Sequence, residues 1–280
     1  MAIVDVSGLS FTYSGTEQPA IRDINIRVES GEFILLVGPS GCGKSTLCRC
    51  LNGLIPHFHT GEMKGRVLVM GKDTATTPTF ILSQDVGFVF QNPENQLFAL
   101  SVENDVAFAL ENLGYPRDEI RGRVDFALRT VGIESLRNKS PFELSGGQQQ
   151  RVAIASVLAM EPSLMIFDEP TSFLDPLSAQ NLIRSISEIQ DTTGMAVVLV
   201  EHRLDLAARY ATRIVVMESG RIVDDGPPAE VLAQDETEVF GVGIPKIVKL
   251  AKTLNKDLRI FNQLPLTVEE ASKKIKGVLV

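Results

Sequence analysis

The stretch "FILLVGPSGCGKST", Phe33 to Thr46, decides the fold. Its first five residues, Phe33 to Val37, form a short continuous apolar run, which reads as a strand buried on both faces in a parallel sheet. A glycine-rich turn follows, and a helix is expected from Lys44 to about Leu54. Gly38 to Ser45 fits the pattern G-x-x-x-x-G-K-[ST] in full, in the strand–turn–helix context that the pattern requires. The loop Gly38, Pro39, Ser40, Gly41, Cys42 and Gly43 presents backbone N–H groups as an anion nest at a helix N-terminus. Lys44 would reach the β- and γ-phosphates of a nucleotide, Ser45 would bind Mg²⁺, and Thr46 lies close enough to meet the α-phosphate.

A second apolar strand, "LMIFDEP", ends in an acid pair. Asp168 can hold Mg²⁺ through water, and Glu169 is placed to polarise an attacking water. A nest, a cation, a metal and a positioned water are the parts that phosphoryl transfer needs.

Outward from these two strands the chain alternates strand and helix, the pattern of an α/β sheet. "AIVDVSGLSFTY" and "IRDINIRVESG" alternate apolar and polar residues as half-buried strands do. "DVGFVFQ" and "AVVLVEH" read as strands ending at Gln91 and just before His202. "RIVVMESGRIVDDG" reads as a hairpin through Ser219-Gly220. From Asn92 to Leu144 the apolar spacing is helical and implies an inserted helical subdomain, with a further helix from about Gly147 to Met160. Residues 240–280 are expected to form a small appended module that packs on its own cassette or on a second subunit as a dimerisation contact. "PKIVKLAKTL" is amphipathic, with Ile247, Val248, Leu250, Ala251 and Leu254 mostly on one face, and Val268, Ala271 and Ile275 can form another stripe. Thr267 and Glu270 have capping-box spacing.

Bulk properties narrow the class. The chain has 280 residues and a net charge of −8, with no basic excess of the kind nucleic-acid binders carry. Its cysteines, Cys42, Cys48 and Cys50, are an odd number clustered together, a poor disulfide framework that fits a reducing compartment. Cys42 lies near a helix N-terminus, where a thiol pKa can fall. No apolar run suits a membrane span, and "MAIVDVSGLS" lacks the basic start of a signal peptide. His57-x-His59 in "IPHFHTGE" invites a metal reading, but it brings no third ligand.

The stretch "LSGGQQQR", Leu144 to Arg151, poses a separate question, because adjacent glycines are costly in a helix. Together with "GPSGCGKS", Gln91, "LMIFDEP", "SFLD" (Ser172 to Asp175) and His202, it forms a set whose order resembles the ATP-binding-cassette (ABC) ATPases over roughly residues 3–235. The resemblance implies an α/β P-loop cassette with an N-terminal antiparallel β subdomain, spanning residues 1–239. It implies ATP and Mg²⁺ as ligands, with Ser45, Gln91 and Asp168 at the metal and Glu169, His202 and Gln91 at the reaction. Tyr13 has the position of the family's adenine-stacking aromatic. Ser145, Gly146, Gly147 and Gln148 would meet a nucleotide held by a second ABC ATPase subunit, and Asp175 would cross that interface. The partner could be an identical chain or a paralogue. "SFLD" departs from the family's commoner small residue at Phe173.

The segment "QNPENQLFALSVENDVAFALENLG", with "LVEHRLDLA", closely resembles the energy-coupling factor ATPases of cobalt, nickel or vitamin uptake. That likeness implies a transmembrane coupling subunit, a substrate-specific membrane subunit, and a peripheral location on the cytoplasmic face of the membrane. Two alternatives stay open at this point: another class of ABC importer ATPase, and a soluble ABC ATPase acting on nucleic acid or the ribosome.

Overall fold

In the computed structural model, residues 2–234, 242–258 and 260–279 are described, without the side chains of 256–258 and 278–279. The expected boundary at 239/240 lies outside the described residues. Two sheets organise the chain. The larger has six strands in the order β10-β9-β3-β8-β7-β6. Its strands are β3 (Phe33–Val37), β6 (Val86–Val89), β7 (Leu164–Asp168), β8 (Ala196–Val200), β9 (Arg213–Glu218) and β10 (Arg221–Gly226). All neighbours pair in parallel except β10, which closes the edge as the expected hairpin with β9.

Every residue of β3, β7 and β8 is buried. Alternation sends Phe33, Leu35, Val37, Met165, Phe167, Val197 and Leu199 to one face and Ile34, Leu36, Leu164, Ile166, Ala196, Val198 and Val200 to the other. Each fully buried side chain of this size stabilises the fold by about 1.5–3 kcal/mol. The registers Leu36↔Val200 and Asp168↔Val200 align the carboxyl ends of the three strands. In open α/β sheets that edge is where ligands bind.

The smaller sheet is antiparallel, in the order β2-β1-β4-β5, with β1 Ala2–Tyr13, β2 Ile21–Glu29, β4 Gly61–Val69 and β5 Lys72–Asp73. It covers one face of the large sheet together with helix α1 (Lys44–Leu51), which ends three residues before the expected Leu54. The opposite face is covered by α2 (Val102–Asn112), α3 (Arg117–Val131), α4 (Gly146–Leu158) and α5 (Pro176–Thr193). Asp175 caps α5, its Oδ1 accepting the N–H groups of Leu177 and Ser178 at 3.0 and 3.1 Å, and Pro176 fits the first helical position.

The C-terminal helices are α6 (Lys246–Leu258) and α7 (Val268–Leu279). Thr267 caps α7 through the Glu270 N–H (3.1 Å), whereas the Glu270 carboxylate reaches back to the Leu266 N–H (2.9 Å). Val242, Ile244 and Val248 join the core of the cassette, while Ala251, Phe261 and Ala271 form a small cluster of their own. The expected apolar stripes are therefore only partly covered: Leu250 is 51% exposed and Val268 66%. The available neighbours bury one edge of each helix and leave these two side chains outside.

Candidate nucleotide site

The loop after β3 has the glycines its geometry demands. Gly38 (φ 146°) and Gly43 (φ 106°) adopt backbone conformations that other residues rarely take. A Cβ at Gly38 would stand 2.1 Å from the Met217 carbonyl oxygen, and one at Gly43 2.6 Å from that of Ala20. Lys44 is buried, and its Nζ donates to the carbonyls of Gly38 (2.8 Å) and Pro39 (2.9 Å), across the mouth of the loop. Ser40 and Gly41 are exposed at its rim.

Ser45 and Asp168 meet across the carboxyl ends of β3 and β7, with the Ser45 hydroxyl donating to Asp168 Oδ1 at 3.0 Å. Burial pushes the Asp168 carboxyl above its ordinary range, against the Ser45 hydrogen bond, which pulls it down. Glu169 has a positive φ of 52°, an uncommon conformation for a residue with a side chain. Its carboxylate gathers residues from two other segments and one from its own loop. Gln91 Nε2 donates to Oε2 at 3.1 Å, Ser172 Oγ donates to Oε2 at 3.2 Å, and His202 Nε2 lies 2.9 Å from Oε1. The family resemblance groups Gln91 and His202 with Glu169 at the reaction, and the fold brings both side chains onto its carboxylate. Ser172 belongs to the "SFLD" stretch and has no separate signal in the sequence.

Tyr13 ends β1 beside α1. Its hydroxyl lies 3.2 Å from Thr46 Oγ1 and accepts from Arg49 Nη1 at 3.4 Å. His59 stands edge-on to the Tyr13 ring with centroids 6.2 Å apart, while His57 Nε2 donates to the Thr74 carbonyl at 2.9 Å. The two histidines thus have different neighbours, and among the described residues no group of three or more His, Cys, Asp or Glu could hold a metal ion. The Cys42 thiol departs from expectation: burial raises its pKa more than Lys44 lowers it. Burial raises Cys48 as well and pushes Cys50 up to about 12.

Ser145, Gly146, Gly147 and Gln148 lie apart from the phosphate loop. They line an open groove with Arg151, Phe173 and Asp175, to which no residue of 38–46 contributes. The Ser145 N–H donates to Gln148 Oε1 at 3.1 Å, so Gln148 caps its own helix. A Cβ added at Gly146 or Gly147 would meet nothing within 4 Å. The chain's own packing does not require those glycines, in contrast to Gly38 and Gly43.

Comparison with known proteins agrees with this geometry. The family model for ABC transporters matches residues 21–172, from before the phosphate loop to beyond the acid pair. A Pyrococcus horikoshii protein named "Putative ABC transporter ATP-binding protein" is 44% identical over 99% of this chain and 97% of its own length. A relative from Methanosarcina mazei is 41% identical, but there this chain spans only 44% of the relative's length. Among solved structures, cbiO1 from Clostridium perfringens, part of the cbiONQ ABC transporter complex, has 36% identity and a TM-score of 0.76 over 92% of this chain and 96% of its own. A dimeric ATP-binding cassette in a post-hydrolysis state with ADP and Pi has 29% identity and a TM-score of 0.69, over 80% of this chain and 98% of that one. With a matched model covering more than half the sequence and relatives aligned end to end, the chain belongs to the ABC transporter family and carries its ATP-hydrolysing cassette.

Proposed function

We propose that this chain hydrolyses ATP between two cassettes to drive a membrane importer of the energy-coupling factor type. The observation that carries the chemistry is the convergence of Gln91, Ser172 and His202 on Glu169, next to the Ser45–Asp168 pair. In this reading the residues 38–45 cradle the phosphates, Lys44 leaves its carbonyl partners to meet the β- and γ-phosphates, and Thr46 meets the α-phosphate. Tyr13 stacks on the adenine. Glu169 accepts the hydrogen bond of the attacking water, while Gln91 and His202 hold the carboxylate in line. Water oxygen bonds to the γ-phosphorus, the bond to the β-phosphate oxygen breaks, and ADP and phosphate leave.

The hard oxygen donors Ser45 and Asp168, 3.0 Å apart, fit Mg²⁺. With its Nε2 given to Glu169, Gln91 offers the same ion its amide oxygen. When bound, Mg²⁺ would neutralise charge on the phosphate oxygens.

The separate groove of Ser145–Gln148 and Asp175 supports a second subunit, identical or paralogous, whose ATP closes against those glycines. Coupling to a membrane partner is supported by the apolar surface after Gln91: Phe98 is 55%, Leu100 88% and Phe108 44% exposed. A coupling helix of a transmembrane subunit would dock there, beside a substrate-specific membrane subunit. Among the described residues no helix is long and apolar enough to cross a membrane, which suits a peripheral place on the cytoplasmic face. The likeness to cbiO1 supports transition-metal ions or vitamins as cargo.

Isolation of the chain from solubilised membranes tests this reading. It should copurify with membrane subunits, and Leu100→Asp should abolish copurification while its circular dichroism stays unchanged. Copurification with ribosomes or nucleic acid instead would overturn the transport assignment.

A further inference from the structure

Glu201 follows β8 directly, one residue before His202, and is only 4% exposed. A buried carboxylate costs the fold free energy unless its oxygens are hydrogen-bonded, and here both are. Oε1 accepts the backbone N–H groups of His202 (2.8 Å) and Arg203 (3.0 Å). Oε2 accepts the hydroxyl of Thr171 (2.5 Å), a wholly buried side chain two residues beyond Glu169. The Arg203 guanidinium in turn donates through both terminal nitrogens to the Leu174 carbonyl at 3.3 Å, next to Asp175. The turn that carries His202 is thereby fastened from below to the segment that carries Glu169, Ser172 and Asp175.

We propose that Glu201 is a positioning residue for hydrolysis, which sets the His202 turn so that Nε2 meets Glu169 and ties that turn to the loop ending at Asp175. This rests on the reading of Glu169 and His202 as the reacting pair. A shape-matched apolar residue would fill the same space at the end of β8. It would also leave two part-buried N–H groups without their acceptor, and the His202 turn would shift to find others.

Single-turnover and steady-state hydrolysis by the full chain test the role, with Glu201→Leu and Glu201→Gln made in the wild-type and His202→Ala backgrounds. Glu201→Leu should lower kcat about tenfold or more while KM for MgATP changes less than about threefold, the pattern of a lost transition-state interaction. Glu201→Gln keeps an oxygen for both N–H groups and should recover the rate to within about threefold of wild type. If Glu201 acts through His202, Glu201→Leu should cost less than about twofold in the His202→Ala background. Should Glu201→Leu not fold, Thr171→Val removes one bond of the same network and is read in the same cycle. An unchanged kcat in Glu201→Leu, or an equal loss in both backgrounds, overturns the proposal. A wild-type rate in His202→Ala would instead overturn the assignment of the reacting pair.

Discussion

On the proposed mechanism Glu169 and Lys44 do different work in the site, and their removal should separate binding from chemistry. Lys44 contributes charge to a nest built of backbone N–H groups, so Lys44→Ala should weaken ATP affinity about tenfold or more, as loss of a charge-assisted contact does. Glu169→Gln keeps shape and neighbours but removes the charge beside the water. It should bind ATP normally and lower kcat by on the order of 100-fold or more. Equilibrium binding with a fluorescent ATP analogue, alongside phosphate release, distinguishes the two, and wild-type hydrolysis by Glu169→Gln would refute its role. At this scale the sequence was most legible where chemistry fixes residue type. The phosphate loop and the Asp168–Glu169 pair stand out as motifs at the ends of apolar strands, whereas Gln91 and His202 take their roles from the family resemblance. Glu201 and Thr171 do not stand out, because their meaning lies in a hydrogen bond between residues 30 positions apart. Nothing in either local segment announces it. At Cys42 the neighbouring charge is visible in the sequence and the burial is not, and burial outweighs the charge of Lys44.

Among the elements, α4 makes a distinctive case. Its first turn contains Gly146 and Gly147, and neither is needed by any contact within the chain. Gly147→Ala should leave the fold intact and raise stability by about 0.4–1 kcal/mol, through a less flexible unfolded chain. It should also lower ATPase activity at least several-fold, because in the proposed composite site the added methyl would face the partner's nucleotide. Thermal melting and steady-state assays read the two effects, and a stabilised variant with full activity would remove the reason offered for these glycines. The strands β3, β7 and β8 were legible from their unbroken apolar runs, since a parallel sheet buries both faces. The C-terminal helices were less so. A helical stripe shows which side is apolar, but not how much of it the chain's own neighbours cover, and Leu250 and Val268 lie outside.

For the molecule as a whole, that exposure bears on how two chains stay together. Val242, Ile244 and Val248 belong to the cassette core, so cutting off the tail would damage the fold as well as any contact it makes. Surface changes are cleaner. If α6 and α7 hold a second subunit between cycles, Leu250→Glu combined with Val268→Glu should make the nucleotide-free chain monomeric by light scattering. Surface substitutions of this kind shift stability by only about 0.5 kcal/mol, so the melting temperature should barely move. A variant that stays dimeric without nucleotide would rule out this role. The separation of the phosphate loop from the groove of Ser145–Gln148 leads to the most direct measurement. Lys44→Ala and Ser145→Arg chains, each inactive alone, are mixed and allowed to exchange subunits. If every ATP lies between the phosphate loop of one chain and Ser145 of the other, mixed dimers carry both defects in one site and leave the other whole. The mixture should then regain hydrolysis, up to about a quarter of the wild-type rate for random pairing of a twofold dimer. No recovery in a mixture shown to contain mixed dimers, or full activity of either variant alone, would contradict the composite site.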